Sequence, residues 1–402
     1  MKVGIVREGK VPPDKRVPLT PEQCVEVMNL FPTVEMVVQP SPIRCFKDDE
    51  YTEKGIALQE NLTDCDVLLG VKEVKIDDLI PNKTYFFFSH TIKKQAYNRK
   101  LLQSMLAKKI QMVDYEVLTN KEGFRIIGFG RFAGLVGAYS GLRAFGLKNE
   151  LYELKPAHEC DDLNEMLQHL DEITLPPIKI AVTGDGRVAG GVLEILNYMK
   201  IMRVSPEAFL CEEECDDPIF TQLLPGNYVR RKDSSAFELM HFFNHPTEYE
   251  NAFHPFAKTA DVLIAAAYWD PKAPVLFTAE EMKNPDFQIS VISDITCDIE
   301  GSIPSTKRAA TIDDPYYDYN PFTGELEEAF SNPNNISVQA VDNLPCELPK
   351  DASLDFGRNL IDKVFPSLFG EDVDRIIERA SITKDGKLTE KFSYLQDFAD
   401  GN

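Results

Sequence analysis

Two apolar runs in this sequence end in ionisable side chains: VLLGVKE delivers Lys72 and YFFFSH delivers His90. In open α/β sheets, ligands bind beyond the carboxyl ends of the parallel strands, so residues leaving those ends share one crevice. A histidine in such a place can exchange a proton near neutrality. A lysine desolvated by strand ends has its pKa drawn down toward use as a base. Each residue taken alone also has a plain structural reading, since a lone histidine commonly serves the core and a lone lysine points to water.

A second cluster of chemistry-bearing residues lies in IAVTGDGRVAGGVLEILNYM, where a buried strand, a glycine turn and an amphipathic helix follow one another directly. Glycine at 184, 186, 190 and 191 lets the backbone turn tightly and approach a pyrophosphate, whose charge is met by free N–H groups at the helix N-terminus. The context of strand and helix is what the dinucleotide fold requires. Further on, EAFLC reads as the next strand and ends in Cys211, Glu212, Glu213 and Glu214. An acid there would accept hydrogen bonds from the adenosine ribose and repel a 2′-phosphate, which favours NAD over NADP, with NADP possible. The alternative is that the three glutamates form a solvated face.

The elements that must position these residues alternate between short β-branched runs and longer helical patterns. They run from KVGIV through a helix near Pro21 to VEMVVQP, DVLLGVKEV and TYFFFSH. That alternation predicts an α/β architecture with parallel sheets flanked by helices. Thr20, Pro21 and Glu22 open the first helix, with proline where its missing N–H does no harm. The small-residue segment GFGRFAGLVGAYSGLRAFGLKNE reads as a closely packed helix and a crossover between domains. PIKIAVTG then begins a second α/β unit, followed by strands at ADVLIAAAY and QISVISDI. Residues 312–333 have loop composition, with YYDYNPF either a lid or a surface turn. ISVQAVDNL and a helix over about 352–369 follow.

The chain of 402 residues, 43% hydrophobic, is long enough for two domains. Its 65 acidic against 43 basic residues leave a formal charge of −22. Such a field repels phosphate backbones and acidic membranes, so nucleic acid and membrane are not expected partners. No apolar run reaches the length of a bilayer span, and no apolar leader follows Met1, so a cytoplasmic protein is expected. Eight scattered cysteines without a CxxC indicate neither a disulfide scaffold nor a zinc ribbon. His241 and His245 are spaced for a helical metal pair, but Pro246 ends that helix and no HExxH pattern follows. They read as surface histidines, and no metal is expected.

The motifs REGKVPPDKRVPLTP, LLGVKEV, FFFSHTIKKQ, MVDYEVL, GFRIIGFGRFAG, DITCDIEGSIP and AVDNLPCELPKDAS, in that order, resemble the alanine dehydrogenase superfamily over nearly the full chain. Within it the sequence is similar to the lysine-forming saccharopine dehydrogenases and to lysine-ketoglutarate reductases. The resemblance implies two Rossmann-like domains with an active-site cleft between them. Residues 1–130 with 340–402 would form a discontinuous substrate domain, and 131–339 an inserted dinucleotide-binding domain. It further implies an acid–base pair at Lys72 and His90, and substrate-carboxylate contacts at Arg16, Lys93 and Arg125. Glu116 would tune the lysine. Cofactor contacts would fall on Gly184, Gly186, Arg187, Asp298, Asn343 and Leu344, while the ribose contact at Glu212 or Glu213 rests on the strand-end reading above. Val188 and Ala189 depart from the family's turn.

The activity so implied is NAD-dependent oxidation of saccharopine to lysine and 2-oxoglutarate. The alternatives are the NADPH-dependent reverse reaction, alanine dehydrogenase chemistry, or a nucleotide-binding regulatory module. A substrate with three carboxylates needs cations, which Arg16, Lys93 and Arg125 supply within an acidic chain. The sequence leaves the oligomeric state open.

Overall fold

The computed structural model describes residues 1–211 and 215–401. It divides into two compact units, Met1–Phe129 with Pro349–Asn402, and Gly130–Leu348. The second junction therefore falls at Leu348/Pro349 and not at 339/340. The chain past 340 still serves the second unit: Val341 bridges Ala310, and Leu344 packs beneath Gly137.

The first unit is built on β1 (Lys2–Ile5), β2 (Glu35–Val38), β3 (Ala57–Leu58), β4 (Val67–Leu69), β5 (Thr84–Phe87) and β6 (Gln111–Asp114). Their spatial order is β6-β5-β4-β1-β2-β3, all parallel, and the C-terminal strands Ser381–Lys384 and Lys387–Leu388 extend the β6 edge antiparallel. This is the doubly wound order, whose reversal between β1 and β4 opens the strand ends. Parallel strands covered on both faces carry continuous apolar runs, which explains the four aromatics of β5 and the residue after it. Phe86 and Phe88 pack with Val3, Ile5, Val27 and Phe356 on one face. Tyr85 and Phe87 pack with Leu101, Met105 and Phe398 on the other.

Helix α1 (Pro21–Leu30) starts as expected. Thr20 Oγ1 accepts from the Gln23 backbone N–H at 3.2 Å, and Gln23 Oε1 accepts from the Thr20 N–H at 3.0 Å. Helices α2 (Asp48–Glu53) and α3 (Arg99–Ala107), with Pro349–Lys363 and Phe365–Phe369, complete the cover.

The second unit starts with α4 (Gly130–Lys148), which lies wholly inside it, and α5 (Leu163–Asp171). Its sheet contains β7 (Lys179–Thr183), β8 (Met202–Val204), β9 (Ile219–Leu223), β12 (Val262–Ala265), β13 (Val291–Asp294), β14 (Tyr316–Tyr319), β15 (Leu326–Glu327) and β16 (Ile336–Gln339). A separate hairpin pairs β10 (Val229–Arg231) with β11 (Tyr249–Asn251). The sheet order is β15-β14-β16-β13-β12-β7-β9-β8, parallel except for β14 and β15.

Three sequence expectations change here. EAFLC is part of helix α7 (Pro206–Cys211), not a strand, because Pro206 and one buried aromatic, Phe209, suit a short amphipathic turn of helix. The strand flanking β7 is β9, with β8 outside it. YYDYNPF is a strand that runs into a surface turn: Tyr316, Tyr317 and Tyr319 are buried in β14, buried Asp318 accepts from Ser337 Oγ at 2.6 Å, and residues 320–322 enter the turn with Phe322 exposed.

Helix α6 (Arg187–Tyr198) crosses α4 at backbone distance. A Cβ on Gly134 would lie 1.9 Å from Val188 O, and one on Gly191 2.0 Å from Arg131 O. Glycine is therefore the residue that lets these helices touch. No helix among the described residues is long and apolar enough to cross a membrane.

Candidate active site

The carboxyl ends of β1, β4, β5 and β6 bring a charged cluster together in the first unit. Beyond β1, the Glu8 carboxylate accepts the backbone N–H groups of Val71 at 2.6 Å and Lys72 at 2.9 Å, fixing the turn that presents Lys72. Burial pushes Glu8 up to about 8 against the pull of those two N–H groups. Burial also lowers the Lys72 ammonium, helped by the positive charges of Arg16 and Lys10. The lysine thus gives up its proton more readily than an exposed lysine does.

Beside Lys72 in sequence, Glu73 places Oε1 2.6 Å from His90 Nδ1 and Oε2 3.3 Å from Lys10 Nζ. Burial is the largest single influence on Glu73 and opposes its charge, but the His90 hydrogen bond, a backbone N–H and the His90 and Lys10 charges together hold Glu73 down at about 2. An ionised carboxylate only accepts, so His90 Nδ1 carries the hydrogen and Nε2 is left for proton exchange. His90 adopts left-handed backbone (φ 53°), turning the chain as it leaves the Phe88 end of β5.

Arg16 is buried, and its Nε and Nη2 donate to the two oxygens of Asp14 at 3.0 and 2.6 Å. Its guanidinium also lies over the Phe129 ring, 4.1 Å from the centroid. Burial disfavours the Asp14 charge, yet the Arg16 guanidinium holds that carboxyl well below the usual range. The forked edge expected to clamp a substrate carboxylate is therefore already engaged by Asp14.

Lys93 Nζ lies 3.7 Å from Glu116 Oε1, and Glu116 Oε2 is buried with no hydrogen-bond partner among the described residues. Arg125 is exposed, donates from Nε to Ile127 O at 3.0 Å, and sits 5.3 Å from the Phe88 ring centroid. Behind the cluster, buried Asp114 accepts from the Ser89 N–H at 3.1 Å, from Ser89 Oγ, and from the Glu116 N–H at 2.7 Å. Burial raises Asp114 to about 6.

The sequence reading did not single out Glu8, Asp14, Glu73 and Asp114. Their signal lay in position: Glu73 adjoins Lys72, Asp14 stands two before Arg16, and Asp114 ends the strand next to β5. Two groups able to exchange protons, several cations and an aromatic floor make an arrangement able to bind a multiply charged acid and shuttle protons.

In the second unit the glycine turn opens a cavity of about 560 Å³ at the carboxyl ends of β7 and β12. Gly184, Gly186 and Arg187 line it, with Tyr228, Phe242, Ala265–Ala267, Tyr268 and Trp269. Gly184 has φ 97°, and a Cβ there would meet Ala267 Cα at 2.9 Å, so this turn demands glycine. Gly186 caps α6, and a Cβ on it would meet nothing within 4 Å. Its small size is not required by the chain itself.

Asp298, Asn343 and Leu344 lie outside that lining, and Leu344 is buried. Glu212 and Glu213, like Glu214, lie outside the described residues. They follow a helix and precede β9, so the strand-end reasoning that singled them out does not apply; β9 itself ends at Leu223, with Leu224 and Pro225 after it. His241 and His245 lie with tilted rings whose centroids are 4.8 Å apart, and His241 Nδ1 pairs with the Tyr249 hydroxyl at 3.1 Å.

Residues 4–136 match the family described as alanine dehydrogenase/PNT, N-terminal domain. Alpha-aminoadipic semialdehyde synthase of Arabidopsis thaliana is 28% identical over 98% of this chain, and its mitochondrial counterpart in Mus musculus 27% over 95%. The chain spans only 41% and 46% of those relatives. The lysine-forming, NAD(+) saccharopine dehydrogenase of Emericella nidulans is 24% identical, with 90% of each chain covered. Among solved structures, an L-alanine dehydrogenase superposes with a TM-score of 0.65 at 16% identity over 100% of this chain and 99% of that one. A transhydrogenase from Sinorhizobium meliloti does so at 0.62 and 16%, over 97% and 100%. Residues 4–136 are thus similar to the alanine dehydrogenase/PNT N-terminal domain, and over its whole length the chain shares the fold of the solved L-alanine dehydrogenase.

Proposed function

We propose that this protein is a nicotinamide-dependent oxidoreductase acting on a CH–NH bond, interconverting saccharopine with lysine and 2-oxoglutarate. The observation that carries the reading is the grouping of Lys72, the Glu73–His90 pair and the Asp14–Arg16 pair at adjacent strand ends. A pure nucleotide binder has no use for such a cluster. NAD is the dinucleotide of this proposal, and the cavity at Gly184, Gly186 and Arg187 is its candidate seat. There the N-terminus of α6 suits a pyrophosphate, and the apolar walls suit the flat rings.

Each unit supplies one half of the reaction. Bound at Gly184, Gly186 and Arg187, NAD would supply the hydride acceptor for the carbon beside the secondary amine, whose oxidation gives an imine. Water adds to that imine, and the carbinolamine collapses to lysine and 2-oxoglutarate. Every step after hydride transfer moves a proton, and two groups in unlike surroundings can divide that work. Lys72, which gives up its proton more readily than an exposed lysine, takes and returns protons during water addition and collapse. His90 handles the amine through Nε2, oriented by Glu73 at Nδ1. Lys93 and Arg125 are the contacts for the substrate carboxylates, and buried Arg16 contributes as the partner of Asp14. Glu116 tunes the cluster's charge. The domain 1–129 with 349–402 is the substrate domain and 130–348 the dinucleotide domain of this proposal, with Asp298, Asn343 and Leu344 as further cofactor contacts. The same reading keeps the protein in the cytoplasm with a small amino acid as its partner.

The test is an absorbance assay with NADH or NADPH, 2-oxoglutarate and one amine at a time. Oxidation of dinucleotide with lysine supports the proposal. None with lysine, or turnover with pyruvate and ammonia instead, removes it.

A further inference from the structure

We infer that Cys160, Glu165 and His169 form a binding site for one divalent transition-metal ion, zinc by the chemistry of its ligands. The thiol sulfur, a carboxylate oxygen and a ring nitrogen of these residues lie within 4.8 Å of one another. Glu165 and His169 stand one turn apart on the same side of α5, and Asp162 caps that helix by accepting the Glu165 N–H at 2.9 Å. Cys160 comes from the loop just before, after the turn Ala157–Glu159. All three ligands therefore belong to one stretch of chain leading into β7, apart from the glycine-turn cavity.

The ring of His169 supplies an independent observation. Its Nδ1 faces Glu172 Oε2 at 3.3 Å, while Nε2 is buried with no hydrogen-bond partner among the described residues. A ring N–H given to a carboxylate, with the opposite nitrogen turned inward, is the arrangement that orients a metal-bound histidine and raises its basicity. The group facing that nitrogen is Glu165 Oε1 at 3.8 Å. Thiolate, imidazole and carboxylate together match the donor set of zinc, with a fourth position for water.

Two features set the conditions for binding. Cys160 Sγ points at Pro156 O, 3.6 Å away, and its proton leaves to solvent as a metal–sulfur bond forms. Lys155 Nζ already bonds Glu165 Oε1 at 2.6 Å, and a cation arriving there must exchange with it. The ligands also have to close by about 1 Å to reach ordinary zinc distances. No metal site was expected from the sequence, because the spacing of cysteine, glutamate and histidine follows no familiar pattern.

The experiment is titration of Co²⁺ into the full chain after treatment with chelator. One equivalent should raise a thiolate-to-cobalt charge-transfer absorption that Zn²⁺ then removes. Cys160→Ser should abolish the band, and His169→Gln should weaken Co²⁺ about tenfold or more. Lys155→Met should tighten binding, a gain that no general damage to the fold produces. Absence of the band in the native chain, or its survival in Cys160→Ser, overturns the inference.

Discussion

The two units end their parallel strands in opposite kinds of surface. In the first, the loops after β1, β4, β5 and β6 carry Glu8, Lys72, Glu73, His90 and Glu116, with buried Arg16 and Asp14 beside them. In the second, the ends of β7, β9 and β12 carry Gly184, Leu224, Pro225 and Ala266 under aromatic walls. The same topological rule locates both surfaces. What differs is how burial acts on them. Among paired charges it shifts protonation, raising Glu8 and lowering Lys72, whereas over glycine and apolar side chains it leaves a shaped cavity. One surface is suited to moving protons and the other to holding a flat cofactor.

Five substitutions would break or sharpen that contrast. Lys72→Met should reduce kcat about a hundred- to ten-thousandfold, measured with all substrates saturating, because it removes a general acid–base group. Glu73→Gln should cost about tenfold to a hundredfold through misorientation of His90. Glu73 is also a stability element of known sign. Its pKa is depressed in the fold, so its contribution is complete above the ordinary value of 4.5 and is lost as pH falls through about 2. Acid titration of Tm should be flatter in Glu73→Gln across that window.

In the second unit, Gly186→Ala should weaken dinucleotide binding about tenfold while moving stability by no more than about 0.5 kcal/mol, since its Cβ meets only open space. Gly191→Ala makes the opposite pattern: a clash with Arg131 O and a stability loss of about 2 kcal/mol or more. The smallest effect belongs to Glu8→Gln. Glu8 has a raised pKa, so it stabilises the fold fully below 4.5 and progressively less as pH rises through about 8. Between those values the native Tm should fall more steeply than that of the variant, by a few degrees.

Much of this was legible in the sequence because burial on both faces of a parallel sheet leaves an uninterrupted apolar run. VLLG, TYFFF and IAVT announced strands, and the charged residues leaving them announced a site. The glycine turn was equally plain, since strand, glycine and helix are contiguous. What escaped was whatever depends on contacts between distant residues or on competition within a short segment. Glu8 reaches Lys72 across 64 positions, and nothing local marks it. EAFLC has a strand's composition, yet Pro206 starts a helix there. β14 reads as a loop because Asp318 interrupts its tyrosines, and its partner inside the sheet, Ser337, lies 19 positions away. The bond between Asp14 and Arg16 was equally hidden, and it changes what the arginine can do.

The central claim is that chemistry resides in the charged unit and cofactor binding in the other. Its most direct test is equilibrium titration of NADH, followed by fluorescence, into native protein and Lys72→Met side by side. Equal dissociation constants alongside the collapsed turnover are the predicted result. A variant that loses NADH affinity in proportion to its activity, or that turns over at the native rate, would contradict the account.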